Sequence, residues 1–241
     1  MGAGVVGEDV TPLADGVPRA LACAVGPDRV LAALDRGLLT AAEDRRLAAL
    51  RHPADRDAYV AAHLLIRWCA AELTGRPMER LQVEQRCPDC GSGEHGRPGL
   101  RELPGVHVSL SRTRHGVAAA AGWDAVAVDV ESVSGDVLAA MPVALSVAER
   151  RQVLAAPDRR VAFLRHWVRK ECLVKIGATT LDDLRQVDLA EVEEEVGPDG
   201  RARGRYRGLH MVDWIDPSLD VMVAVAAAVR PAVRPFRPVQ K

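Results

Sequence analysis

Twice along this 241-residue chain a helical stretch gives way to a set of short apolar strands, and that order constrains the fold more than any single motif. In the first round Asp28–Leu50 is rich in Ala, Leu and Arg, breaks at Gly37 and restarts on the capping-box pattern Thr40-Ala41-Ala42-Glu43. Ala58–Leu73 then sets Val60, Leu64, Arg67 and Ala71 at helical spacing and stops at Gly75 and Pro77. A short strand is expected before these helices at Ala20–Val25, and strands after them at Val106–Leu110, Val117–Ala121 and Ala125–Glu131. The second round predicts helices over Val147–Leu154 and Arg159–Lys175, then strands near Leu184–Val192, Tyr206–Val212 and Val221–Val229. The expected architecture is α+β, in two similar halves at residues 1–122 and 123–230 related as a pseudo-twofold duplication. A proline-rich extended tail is expected over residues 231–241.

The overall charge narrows the function. Lys+Arg number 32 against Asp+Glu 33, for a formal net charge of −1, and 48% of residues are hydrophobic. Bulk attraction to nucleic acid or to an anionic membrane is therefore not expected, and any polyanion must be gripped by a local cluster. No apolar run approaches the roughly 18 residues of a membrane span. The N-terminus carries Glu8, Asp9 and Asp15 and no basic side chain before Arg19, unlike a secretory signal. Five cysteines, three of them in apolar or Ala-rich surroundings, fit reduced thiols better than a disulfide framework. A cytoplasmic monomer is expected.

Lysine is the informative residue. Only Lys170, Lys175 and Lys241 occur, so a lysine kept in an arginine-rich chain suggests a position where a compact ammonium is needed. Lys175 stands four residues after Glu171 on one stripe of the second long helix, with Trp167 a turn earlier. An exposed Glu/Lys pair at that spacing is commonplace, but there Arg would serve as well. Lys170 falls off the stripe, and its replacement by Arg is expected to cost less than the same change at Lys175. In Val126-Ala127-Val128-Asp129-Val130-Glu131 the period of two puts the valines on one face and both carboxylates on the other. Such a pair is either the solvated face of an edge strand or a site for a hard cation such as Mg2+, which takes carboxylate oxygens and substrate phosphates. Gly96-Arg97-Pro98 and Ser109-Leu110-Ser111-Arg112-Thr113 add cations and hydroxyls suited to phosphate oxygens.

Taken in order, G-R-P, S-R-T, D-V-E and W-V-R-K-E-C-L-V-K resemble the motifs of the surfactin-type 4'-phosphopantetheinyl transferases. The resemblance runs from Arg51 to about Gly177 and implies an active site in the cleft between the two halves. It implies that Asp129, Glu131 and Glu171 hold Mg2+, that Glu171 and Lys175 are catalytic, and that Lys175 reaches the diphosphate of coenzyme A. Arg97, Ser111 and Arg112 would grip its phosphates, with Arg51, His63 and Arg67 as further candidates on the first helix pair. The implied reaction moves phosphopantetheine from coenzyme A to a serine of an apo acyl or peptidyl carrier protein and releases 3',5'-ADP. Arg112 stands where the family usually has His, which keeps a cation but loses a neutral imidazole's hydrogen-bonding roles, and His115 nearby offers partial compensation. Ser109 stands where the family has Asn, and Cys172 at a Ser/Ala position reads as a packing residue.

Two rival readings use the same residues. Water in place of serine would make the chain a metal-dependent diphosphate hydrolase. The loop Cys87-x2-Cys90-x4-His95 has zinc-like spacing with three obvious ligands, and among arginines it suggests a zinc-loop nucleic-acid-binding module. Neutral net charge and 3% aromatic content weigh against that module.

Overall fold

The computed structural model describes residues 18–87, 90–93, 96–135 and 141–238. In chain order it contains β1 (Ala20–Val25), α1 (Pro27–Ala33), α2 (Ala41–Ala49), α3 (Pro53–Thr74), β2 (Val83–Arg86), β3 (Arg97–Leu100), β4 (His107–Arg112), β5 (Val117–Gly122) and β6 (Val126–Ser132). There follow α4 (Met141–Ala144), α5 (Val147–Ala155), α6 (Arg159–Ile176), β7 (Glu195–Val196), β8 (Ala202–Tyr206), β9 (Leu209–Asp216), β10 (Val221–Ala227) and β11 (Ala232–Val233). The fold is α+β.

The strands form a sheet ordered β11-β1-β5-β4, a second ordered β6-β10-β9-β8-β7, and a ribbon β2-β3. Small and β-branched residues let the two sheets stack. Ala20, Ala22, Ala118 and Ala120 of the first meet Val126, Val128, Val130, Val221, Val223 and Val225 of the second in one buried layer. The outer face of each sheet carries a long helix. Leu64 and Leu65 of α3 pack on Leu21, Cys23, Val117 and Ala119, whereas Leu164, Val168 and Leu173 of α6 pack on Ala127, Met222 and Ala224. Both helices stop on a left-handed glycine, Gly75 at φ 70° and Gly177 at φ 88°, where a side chain would be strained.

Local signals in the sequence are realised as expected at several points. Thr40 and Glu43 form the expected capping box of α2, and the structure adds a second, Ser146 with Glu149, on α5. In each case the glutamate is fully buried and does a second job. Glu43 accepts from Arg67 and lies 2.6 Å from His63 Nδ1; Glu149 accepts from Lys170 Nζ at 2.6 Å.

Three expectations are corrected. Leu184–Val192 is not a strand: a 3-10 turn at Leu184–Gln186 opens an irregular segment anchored by Leu184, Val187 and Leu189. Its carbonyls at Leu184 and Val187 accept from Lys170, and the Leu189 N–H donates to Glu149, so a buried charge pair occupies groups a ladder would need. The strand expected at Tyr206–Val212 is present over Leu209–Val212 but is interrupted at its start by a hairpin turn, with Arg207 and Gly208 both at positive φ, as a tight two-residue turn requires. The extended tail is docked: β11 pairs parallel to β1, Phe236 is 4% exposed against Trp68, and Trp68 Nε1 donates to the Arg237 carbonyl. No described helix is long and apolar enough to cross a membrane.

Candidate active site at the seam of the two sheets

The site lies where the edge strand of one sheet, β4, runs beside the edge strand of the other, β6. The alternation of β6 sends Val126, Val128 and Val130 into the layer between the sheets and Ala127 under α6, so Asp129 and Glu131 turn toward α6. Ser109 Oγ accepts the Val128 N–H at 3.2 Å, and Ser111 Oγ donates to Asp129 Oδ1 at 2.8 Å. Of two serines on one face of β4, Ser109 thus satisfies a buried backbone N–H on the edge of β6 and Ser111 a carboxylate oxygen, which gives Ser109 a bridging role at the seam.

Lys175, in the last turn of α6, donates to Asp129 Oδ1 at 2.6 Å and to the Val128 carbonyl at 3.0 Å. Its partner is therefore Asp129 on the strand beneath the helix, not the i−4 residue Glu171. Glu131 accepts from Trp167 Nε1 at 3.2 Å, a contact the helical spacing of Trp167 could not disclose. Asp129 is 4% exposed, and its Oδ2 is buried without a hydrogen-bond partner. Burial lifts the Glu131 and Glu171 carboxyls above the ordinary glutamate range, and the charge on Asp129 lifts both further. For Lys175 burial works against the charge, yet Asp129 holds its pKa above the usual lysine value.

Three carboxylates around one ammonium leave excess negative charge at the seam. The donor set is all oxygen, and the orphaned Asp129 Oδ2 is a buried acceptor with room in its valence, so the residues fit a hard divalent cation. Among the described residues no three His, Cys, Asp or Glu side chains converge closely enough to enclose a metal ion. Asp129 is drawn to Lys175 and Glu131 to Trp167 instead.

Cations border this centre. Arg97 on the ribbon reaches the Ile176 carbonyl at the end of α6, at 3.4 Å. Gly96 before it sits at φ 110°, and a β-carbon there would collide with the Arg86 backbone, which accounts for glycine in G-R-P. Arg112, exposed at the end of β4, stacks its guanidinium over Tyr59 of α3, 5.3 Å from the ring centre. His115 is exposed in the β4–β5 turn, and Arg51 is exposed just before α3.

His63 and Arg67 are placed otherwise. His63 is 1% exposed with its ring stacked on Tyr59, and Arg67 is fully buried, donating to Glu43, the His63 carbonyl and the Leu81 carbonyl. Burial alone would raise Glu43, but the bonds from His63 and Arg67 outweigh it and hold the carboxyl at about 2. These side chains anchor α2 to α3 and present no free cation to a phosphate, a correction to their expected role. Cys172 is fully buried, donates to the Ala224 carbonyl at 3.4 Å, and has a thiol pKa pushed up by burial, so it packs as expected. Cys87 is buried and Cys90 exposed, while His95 lies outside the described residues, as does part of the expected zinc loop.

Sequence reasoning missed Lys170 most. It is 0% exposed, and its ammonium donates to Glu149 Oε2, Ala144 O, Leu184 O and Val187 O at 2.6 to 2.9 Å. The scarcity of lysine was the available signal, and it pointed equally to this residue.

Residues 125–220 match the family model of the 4'-phosphopantetheinyl transferase superfamily. The matched segment holds β6, α6 and thus Asp129, Glu131, Glu171 and Lys175. The chain is also 28% identical over 122 residues to the 4'-phosphopantetheinyl transferase psf-1 of Bacillus pumilus, a match covering 47% of this chain and 46% of that relative. The chain thus spans about half the length of the relative it matches. The resemblance carried by the ordered motifs is borne out over this part of the chain.

Proposed function

Starting from the superfamily match over residues 125–220, we propose that this chain transfers the 4'-phosphopantetheine group of coenzyme A to a serine of an apo acyl or peptidyl carrier protein. The observation that carries the reading is the seam, where Asp129, Glu131, Glu171 and Lys175 from the matched segment meet Ser111 and Arg97 from outside it. Carboxylates for a cation beside cations for phosphates suit a diphosphate ester as substrate.

In this reading Asp129, Glu131 and Glu171 would hold Mg2+, which when bound would supply positive charge against the diphosphate. Arg97, Ser111 and Arg112 orient the coenzyme A phosphates, and Arg51 borders them. The serine oxygen attacks the β-phosphorus, and the bond from that phosphorus to the bridging oxygen breaks. Phosphopantetheinyl-serine and 3',5'-ADP result. Glu171 takes the serine proton on a carboxylate oxygen not engaged by the cation. Lys175 steadies charge developing on the leaving diphosphate oxygen.

The seam between stacked sheets is the cleft of the two-halves reading. A shared device supports descent of the halves from one unit: each long helix has a histidine four residues before a basic residue, His63/Arg67 and His166/Lys170. Each basic residue grips the capping-box glutamate of the preceding helix.

Incubation with coenzyme A, Mg2+ and a panel of apo carrier proteins, read by intact mass, tests the reaction. A phosphopantetheine adduct on serine is expected. Hydrolysis of coenzyme A with no adduct on any carrier would convert the reading to a diphosphate hydrolase. Arg112→Ala is expected to raise the KM for coenzyme A by about tenfold, the size of one charge-assisted contact, with a smaller fall in kcat. Arg112→His should be mild. An unchanged KM in the alanine variant would remove Arg112 from the phosphate site.

A further inference from the structure

We propose that Lys175 is an internal counter-cation that exchanges Asp129 for the incoming diphosphate, so that the site takes a divalent cation and a diphosphate ester together and binds either alone poorly. The inference rests on the transferase reading and concerns how the same site admits its ligands.

The geometry sets up the exchange. Lys175 Nζ lies 2.6 Å from Asp129 Oδ1, and the side chains of the pair are 29% and 6% exposed. The ammonium sits at the mouth on a flexible four-carbon stem, while the carboxylate is fixed on a strand and cannot follow it out. Only one oxygen of Asp129 is engaged: Oδ1 takes Ser111 and Lys175, and Oδ2 is buried without a partner. A divalent cation arriving alone is drawn by Glu131 and Glu171 but must compete with Lys175 for Asp129, the carboxylate between them, and is opposed by that ammonium. A diphosphate arriving alone meets Asp129, Glu131 and Glu171. Its approach would also strip Lys175 from Asp129 and leave a carboxylate buried without a counter-charge.

Arriving together, the two ligands resolve both conflicts. The cation replaces Lys175 on Asp129, and the diphosphate gives the released ammonium a new anion. By linkage each ligand must then strengthen the other by the same factor. Lys170 cannot behave this way, because its ammonium is fully buried among four acceptors with no path to the mouth.

The chain's three lysines make the exchange directly visible. In protein labelled with 13C at lysine Cε, the Lys175 signal is identified by its loss in Lys175→Gln, and Lys170 and Lys241 serve as internal references. Titration with Mg2+ alone, coenzyme A alone and the two together is expected to move the Lys175 signal only in the mixture, at concentrations where each alone leaves it in place. Calorimetry should show Mg2+ alone binding at least threefold more tightly to Lys175→Gln than to wild type. The exchange is refuted if coenzyme A and Mg2+ bind calorimetrically while the Lys175 signal stays in place, if either ligand alone moves it fully, or if Lys175→Gln binds Mg2+ no more tightly. If wild type shows no calorimetric binding of coenzyme A with Mg2+, the transferase reading itself falls, and the exchange with it.

Discussion

Asp129→Ala is expected to lower kcat/KM for carrier-protein modification by about a thousandfold or more, on the order of 4 kcal/mol of transition-state stabilisation. Asp129 is the residue on which the seam converges, accepting from Ser111 and Lys175 and supplying the charge that raises both Glu131 and Glu171. Its loss would remove a cation ligand and free Lys175 from its anchor. The fold should persist, because the opposite face of β6, with Val126, Val128 and Val130, does the packing between sheets. Asp129→Asn separates charge from shape: its carbonyl oxygen can still accept from Ser111 and Lys175, so a large activity loss there at an unchanged unfolding midpoint assigns the effect to charge. Full activity of Asp129→Ala at saturating Mg2+ would remove the seam as the active site.

Lys170→Met is expected to destabilise the protein by about 3–5 kcal/mol, the range for removing one partner of a buried ion pair. For a chain of this size that is a fall of roughly 10 °C in Tm. Deleting the ammonium leaves the Glu149 carboxylate, itself 0% exposed, without its cation, and three backbone carbonyls without their donor. Lys170→Arg should also be costly, by about 2 kcal/mol, since a planar guanidinium cannot point at acceptors arranged around a compact ammonium. This reverses the sequence expectation that Lys170 is the more replaceable lysine. Restoring part of the stability with Lys170→Met/Glu149→Leu would show that the unpaired carboxylate is the main cost. A wild-type urea midpoint for Lys170→Met would mean that the ammonium cage contributes nothing.

Most of what proved legible rests on short-range periodicity. The two-residue alternation of Val126–Glu131 already separated carboxylates from valines, and the structure keeps that separation between α6 and the sheet interface. Thr40 and Glu43 announced a helix start within four residues, and Gly75 a stop. The strand expected at Leu184–Val192 failed because its backbone groups found partners in Lys170 and Glu149, which no local pattern can reveal.

The sequence by itself determined the helix-then-strand order, the face each carboxylate of β6 occupies, and the spacing of Trp167, Glu171 and Lys175 on α6, since backbone geometry maps neighbouring residues onto faces. Only the tertiary structure decided which side chains meet between elements. Lys175 bonds to Asp129, 46 residues away, and not to Glu171, four away; Trp167 bonds to Glu131; and His63 and Arg67 are buried on Glu43. Charge alone could not choose among these partners, because each cation had several carboxylates of the right sign within reach of its sequence. Burial chose, since an ion taken out of water must be satisfied by whatever group the packing of sheets and helices sets beside it.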